Sequence, residues 1–144
     1  MATGQRKDPL RAFQFLVELD GITRASFREC SGLDSSQDPI EYREGGEGLT
    51  ARKLPGLNKY ANISLKRGIT DDTELWAWRH EAAEGRVKRK NGSIILMDES
   101  GAEAARWNLD TAWPATWTGP SLNATGNEVA IETLELVHEG IARV

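Results

Sequence analysis

Two histidines, one cysteine and a charged glycine-rich stretch are the parts of this chain with which chemistry could be done. His80 and Glu84 stand four residues apart, a spacing that sets two metal ligands on one helix face. No third ligand lies near them in the sequence, so the pair reads as a solvated face. His138 has the chemistry of a general base, and catalytic groups assemble in space rather than in order. A small hydrolase using His138 therefore stays open, although no serine has the spacing of a nucleophile elbow. Cys30, beside Ser31, reads as an unreactive strand residue. The stretch EYREGGEGLTARKLPG, Glu41 to Gly56, lacks the Gly-x4-Gly-Lys-Ser/Thr pattern and does not lead into a helix. It is no phosphate cradle. The expectation is no catalytic, cofactor or metal site.

Binding is the next possibility. Arg86, Lys88, Arg89 and Lys90 form a basic run, but no aromatic residues interleave it to stack bases. Directly before Asn91-Gly92 it suits an exposed hairpin or an acidic partner surface. Five tryptophans could line a ligand groove, which keeps a ligand-binding β-sandwich as the alternative function. Trp78 facing Trp107 reads more simply as packing between helix and sheet, and Trp76, off that stripe, as a contact for another protein.

The totals narrow the classes. At 144 residues the chain has the size of one domain, expected to run over 1–144. A formal charge of -4 argues against specific nucleic-acid binding or adhesion to an anionic membrane. No apolar run nears the roughly 20 residues that span a bilayer, and no apolar signal core follows the basic N-terminus. No membrane anchor is expected. A lone cysteine cannot form an intrachain disulfide.

The elements that must carry these residues are mostly strands. In FQFLVELD, Phe13, Phe15, Val17 and Leu19 alternate with polar residues. GITRASFREC sets Arg24, Ser26 and Arg28 against Ala25 and Phe27; YANISLKRGI sets Ala61, Ile63 and Leu65 against Asn62, Ser64 and Lys66. One segment has helical spacing instead. Leu75, Trp78, Arg79 and Ala82 predict a helix over about 72–84, with Asp71 and Glu74 as a capping box and Gly85 as the stop. Pro114 marks a bend or edge, and the shift of apolar phase from Val129 and Ile131 to Leu134 and Leu136 predicts a bulge near Thr133 or a strand covered on both faces. Six to eight strands and one flanking helix make a mainly β fold of two packed antiparallel sheets, a β-barrel or sandwich.

The glycine-rich stretch is then an extended loop at about 41–59. Glu44 and Glu47 precede Arg52 and Lys53, so one end is acidic and the other basic. Copies arranged head to tail could pair acid with base at each junction, a heterologous contact that closes rings or extends tubes.

Three long stretches carry a resemblance: LVELDGI with CSGL; IEYREGGEGLTARKLPGLNKYANISLKRGITDDTELWAWR; and RKNGSIILMDESGAEAARWNLDTAWPATWTGPSLNATGNEVAIETLELVHEG. Together they resemble the inner tube proteins of contractile phage tails and phage-tail-like contractile injection systems, relatives of the Hcp protein of type VI secretion. The resemblance implies a two-sheet β-barrel with a flanking helix, and homohexamer rings stacked into a hollow tube inside a sheath. It implies as partners the sheath protein, baseplate or tube-initiator and terminator proteins, and effector cargo in the lumen. It implies assembly in the bacterial cytoplasm, and no catalysis. On the polar stripes, Arg24, Arg28, Glu41 and Arg43 are the candidates for facing that lumen.

Overall fold

The computed structural model describes residues 14–46, 48–126 and 128–144, apart from the side chains of Thr23 and Arg24. Ten strands and one helix occur among them: β1 (Gln14–Leu19), β2 (Ile22–Ser26), β3 (Glu29–Ser31), β4 (Ser35–Tyr42), β5 (Arg52–Tyr60), β6 (Ile63–Gly68), α1 (Glu74–Ala83), β7 (Lys90–Met97), β8 (Glu103–Thr118), β9 (Ile131–Val137) and β10 (Gly140–Arg143). That exceeds the six to eight strands expected.

Eight of the ten strands form two antiparallel layers that share β8. One layer runs β2-β1-β7-β8 with β10 on the far side of β8; the other runs β8-β9-β6-β3. β8 achieves this by its length of 16 residues. Its first part pairs with β7 and β10, and its second part, from Trp113, pairs with β9. Between them the chain turns: Thr111 takes a φ of 53°, and the register slips between Pro114 and Thr116. Proline cannot donate to a ladder, so its place at this turn fits the expected bend. The sheets do not close into a barrel.

Side chains alternating along the strands meet between the layers. Val17, Leu19, Ile94 and Leu109 from one layer and Ile63, Leu65, Leu134 and Leu136 from the other form one buried cluster. α1 packs on β8 and adds Leu75 and Trp78 to that cluster, as its spacing predicts. The Trp78 indole N–H donates to the Lys88 carbonyl at 2.7 Å. Trp107 and Trp117 pack on the same cluster from the strand side.

The helix Glu74–Ala83 falls within the expected span of about 72–84, and three local expectations need correction. The N-cap Thr73 makes no side-chain hydrogen bond. In place of a capping box from Asp71, the Asp72 carboxylate accepts the Glu74 N–H at 2.9 Å. The stop is as expected, with Gly85 at φ 90° donating to the Ala82 carbonyl. GITRASFREC is two strands, because Phe27 enters the core and the chain passes there from one layer to the other. β9 carries no bulge against β6; it begins at Ile131 and leaves Val129 exposed, which accounts for the phase shift. Phe13 and the residues before it lie outside the described residues.

Arg67 is the main charge inside. It is 5% exposed, donates to Glu132 at 2.8 Å, reaches the Asp72 carbonyl at 3.3 Å, and lies over the Phe27 ring. It thereby ties β6 to β9 and to the segment entering α1.

One glycine fixes the path by which the chain leaves β3. Gly32, at φ 93°, passes so close to the strand connection at Asn62 that an added Cβ would sit 1.9 Å from the Asn62 carbonyl oxygen. Gly32→Ala is therefore expected to cost about 2–4 kcal/mol, from a left-handed conformation plus a backbone clash. Thermal unfolding followed by circular dichroism measures it, and a loss under about 1 kcal/mol would contradict the close approach.

Candidate assembly surfaces

The segment expected as a loop at 41–59 is mostly a hairpin. β4 and β5 pair only with each other, from Ser35 opposite Tyr60 to Tyr42 opposite Arg52, and join neither layer. The true loop is the connection 43–51 at the tip. All of β4 is exposed, and β5 nearly so. At nine residues and about 3.3 Å each, β5 spans roughly 30 Å. Pro39 faces Pro55, and Gly56 lets the strands close where a Cβ would meet the Asp38 carbonyl at 2.5 Å. Ile40 opposes Leu54, Glu41 opposes Lys53, and the Tyr42 hydroxyl donates to Glu44 at 2.7 Å.

The base of this arm is clamped. The Ala61 N–H donates to the Asp34 carbonyl, and the Asn62 side-chain amide donates to Glu135 at 2.9 Å. His138 is 8% exposed; its Nε2 lies 3.0 Å from the Ala61 carbonyl and its Nδ1 3.1 Å from that of Gly140. Its ring also sits 5.6 Å from that of Tyr60. The histidine that sequence offered as a base is a structural peg joining the arm root to the turn before β10.

On the body, the layer that holds β3 has an outer face without a large apolar side chain on its shared rows. Ser31, Ser64, Glu135 and Thr116 align across four strands, and Glu29, Lys66, Thr133 and Thr118 form the next row. Its inner face carries Leu65 and Leu134 in the matching row. Among the described residues, β3 and the second part of β8 have a neighbour on one side only, so this layer ends in two open edges.

The other chemical candidates resolve into structure. Burial pushes the Cys30 thiol up to about 12, which makes it a poor nucleophile. His80 contacts Glu84 at 2.8 Å, and Glu84 also pairs with Arg86. No third metal-ligating side chain gathers there among the described residues. The basic run is partly engaged in contacts: Lys88 pairs with Glu81, and Lys90 donates to the Asp20 carbonyl at 2.7 Å. A shallow groove of about 490 Å³ beside β1, β7 and β8 contains Ser93, but that hydroxyl donates to Asn108 and accepts from Arg106, with no histidine lining the groove.

The profile of the T4-like virus tail tube protein gp19 family matches residues 11–142. The chain belongs to that family. It is a tail tube subunit by descent. Among solved structures, it resembles a chain of the extended sheath-tube complex of the PVC extracellular contractile injection system, at 32% identity over 94% of this chain and 91% of that one, TM-score 0.84. A chain of the anti-feeding prophage baseplate, 6-fold symmetrised, is 26% identical over 96% and 97%, TM-score 0.86. Hcp1 from Flavobacterium johnsoniae shares the fold at 17% identity over 91% and 94%, TM-score 0.64. No curated protein matches the chain.

For a tail tube protein the placement of the predicted residues reads differently from their order. Glu44, Arg52 and Lys53 are on the arm, with Lys53 opposite Glu41 of the same hairpin; Glu47 lies outside the described residues. Glu41 and Arg43 are also arm residues, Arg28 is exposed between β2 and β3, and the Arg24 side chain is outside what is described. The two candidate stripes thus belong to different parts of the fold, Arg24 and Arg28 to the body and Glu41 and Arg43 to the arm. Sequence reasoning passed over the polar rows through Ser64 and Glu135, whose signal was the alternation already visible in YANISLKRGI. An isolated two-stranded hairpin is marginal in water. In dilute, unassembled subunit the backbone amides of β4 and β5 are therefore expected to exchange roughly a hundredfold faster than those of β6 and β7. Hydrogen exchange measures this; equal protection would show an arm that is stable alone.

Proposed function

We propose that this tube subunit forms homohexameric rings that stack into the hollow inner tube of a contractile injection particle or phage tail. The contracting sheath then drives that tube through a target envelope. The observation that carries the reading is the pairing of two features in one chain. One is a polar sheet face with open edges on both sides. The other is an arm with nothing of its own to pack on. Edge β3 of one copy beside the second part of β8 in the next would continue the sheet around a ring.

In that arrangement the channel wall is the outer face of the β3-β6-β9-β8 layer, with Ser64, Lys66, Thr133 and Glu135 at its centre. It is a third candidate beside the two stripes expected from sequence, Arg24 with Arg28 on the body and Glu41 with Arg43 on the arm. A wall of hydroxyls with both charge signs offers no apolar surface on which cargo would stick. Effector polypeptides carried in the lumen are consistent with it. The sheath, the baseplate or tube initiator and the terminator are the heterologous partners; solved relatives sit in a baseplate, in a sheath-tube complex and in a tube-terminating cap. Assembly in the bacterial cytoplasm fits that company. The role is structural, with the work of penetration supplied by the sheath.

Negative-stain microscopy of the concentrated protein is expected to show six-fold rings and tubes. A compact monomer that binds sugar through its tryptophans would overturn the assignment. In a Cys30→Ala background, Ser64→Cys within tubes should react with a small maleimide yet react at least about tenfold more slowly with one bearing a long polymer. Equal rates would place that face outside.

Acid-to-base pairing through Glu44, Arg52 and Lys53 between copies is part of the same proposal. Exposed pairs contribute about 0–1 kcal/mol each and weaken with salt. Reversing Arg52 and Lys53 to Glu should shorten tubes a few-fold at low salt and leave the subunit folded. Tubes of ordinary length at low salt would remove the pairing from the account.

A further inference from the structure

The large apolar side chains left exposed in this molecule are concentrated at two places. Ile40, Tyr42, Leu49, Leu54 and Leu57 are on the arm. Ile69, Trp76, Leu122 and Val129 are on the body, and among the described residues only Val144 belongs to neither group.

The body group collects at one end. Ile69 follows the last residue of β6, and its N–H donates to the Ala130 carbonyl at 3.2 Å, which sets it beside Val129. A Cβ on Gly68 would be 3.7 Å from a Val129 methyl. Leu122 is in the connection from the end of β8 to the start of β9, at the same end of that layer. Trp76, in the first turns of α1, packs edge-on against Trp117 near the end of β8, ring centres 5.4 Å apart.

The arm leaves from the other end. Its root joins β3 at Gly32 and β6 at Ile63, where β9 finishes. β6 is therefore the ruler between the two: six residues, roughly 20 Å from arm root to apolar pole. An arm of roughly 30 Å projects from one pole of a body whose opposite pole presents the second apolar group.

We infer that the apolar face of the arm, built on Ile40, Tyr42 and Leu54, docks on the Ile69–Val129 pole of a second copy in the adjacent ring. The inference rests on the tube-subunit reading and names the receiving surface and the force that reading leaves open. The partner is a second copy because this chain itself carries both halves of the contact at opposite ends. A contact between different patches on identical molecules does not saturate in a dimer; it propagates along an axis. Ile40 and Leu54 are directly opposed across the hairpin, so their side chains emerge on one face, with Tyr42 two residues along β4 on the same side. Glu41 and Lys53 are on the other face, free to remain in water when the apolar face closes. Exposed carboxylates Asp71 and Glu128 border the pole, which keeps the surface soluble before assembly.

The test uses the full-length chain. Val129 is 67% exposed, so Val129→Asp should leave the melting of the subunit unchanged while placing a charge in the closed contact. The expected result for Val129→Asp, and separately for Leu54→Asp, is retained six-fold rings with the stacked fraction reduced about tenfold or more, at low and high salt alike. An independent arm of the experiment introduces Leu54→Cys and Val129→Cys together in a Cys30→Ala background. Oxidised tubes should then give a covalent ladder running past six subunits on a non-reducing gel. Ordinary-length tubes in both Asp variants, or a ladder that stops at six, overturn the pole-to-pole junction while leaving the tube itself intact. Wild-type protein that makes neither rings nor tubes overturns the junction together with the tube reading.

Discussion

A two-stranded ribbon has no second layer to bury its side chains against, and that limit governs this molecule. The arm formed by β4 and β5 satisfies its backbone groups across one ladder and leaves Ile40, Leu54 and Leu57 in water. Among the described residues nothing in the body folds back over it, although the root is held by Gly32, Asn62 and His138. A chain that fixes so firmly the direction of an otherwise unsupported ribbon is specifying where that ribbon meets something else.

The body is organised to be independent of the arm. β8 serves both layers, so the two sheets cannot slide apart without breaking one continuous strand. The core cluster draws from both layers and from α1. Arg67 extends the same logic to a buried charge: with Glu132 and the Asp72 carbonyl as partners it crosslinks β6, β9 and the helix entry, and losing a partner would strand the guanidinium. The core cluster and the Arg67 contacts are made without any residue of β4 or β5.

This separation also explains what was legible beforehand. Half-buried strands announce themselves: Phe15, Val17 and Leu19 alternate because one face of β1 meets a core, and Leu75 and Trp78 mark the buried side of α1 for the same reason. The arm gave a partial signal. Ile40 and Tyr42 alternate with Glu41 and Arg43, but neither β4 nor β5 contributes to the core, and Pro39, Pro55 and Gly56 read as loop punctuation. The break at Phe27 was hidden because alternation runs straight through it; only pairing reveals that β2 and β3 belong to different layers. The polar wall failed to appear as a candidate for a related reason. Ser64, Glu135 and Thr116 are distant in sequence and become one row only once β6, β9 and β8 are in register. What sequence did supply was the family, through long motifs.

The choice of force at that junction has a mechanical consequence. Charge pairs on an exposed ribbon are screened over about 8 Å at physiological ionic strength, so a tube held by them alone would loosen with the salt outside the cell. Apolar contact is indifferent to that change, and it strengthens rather than fades with modest warming. Yet it lacks direction: an apolar ribbon would adhere to any apolar surface it met. The hairpin combines the two. Ile40 and Leu54 on one face provide adhesion, while Glu41 and Lys53 on the other keep that face in water. A rigid root then allows the adhesive face to present in only one direction, towards the pole of the next subunit. Order along the axis follows from placing a sticky ribbon and its receiving surface on opposite ends of a body too well packed to bend.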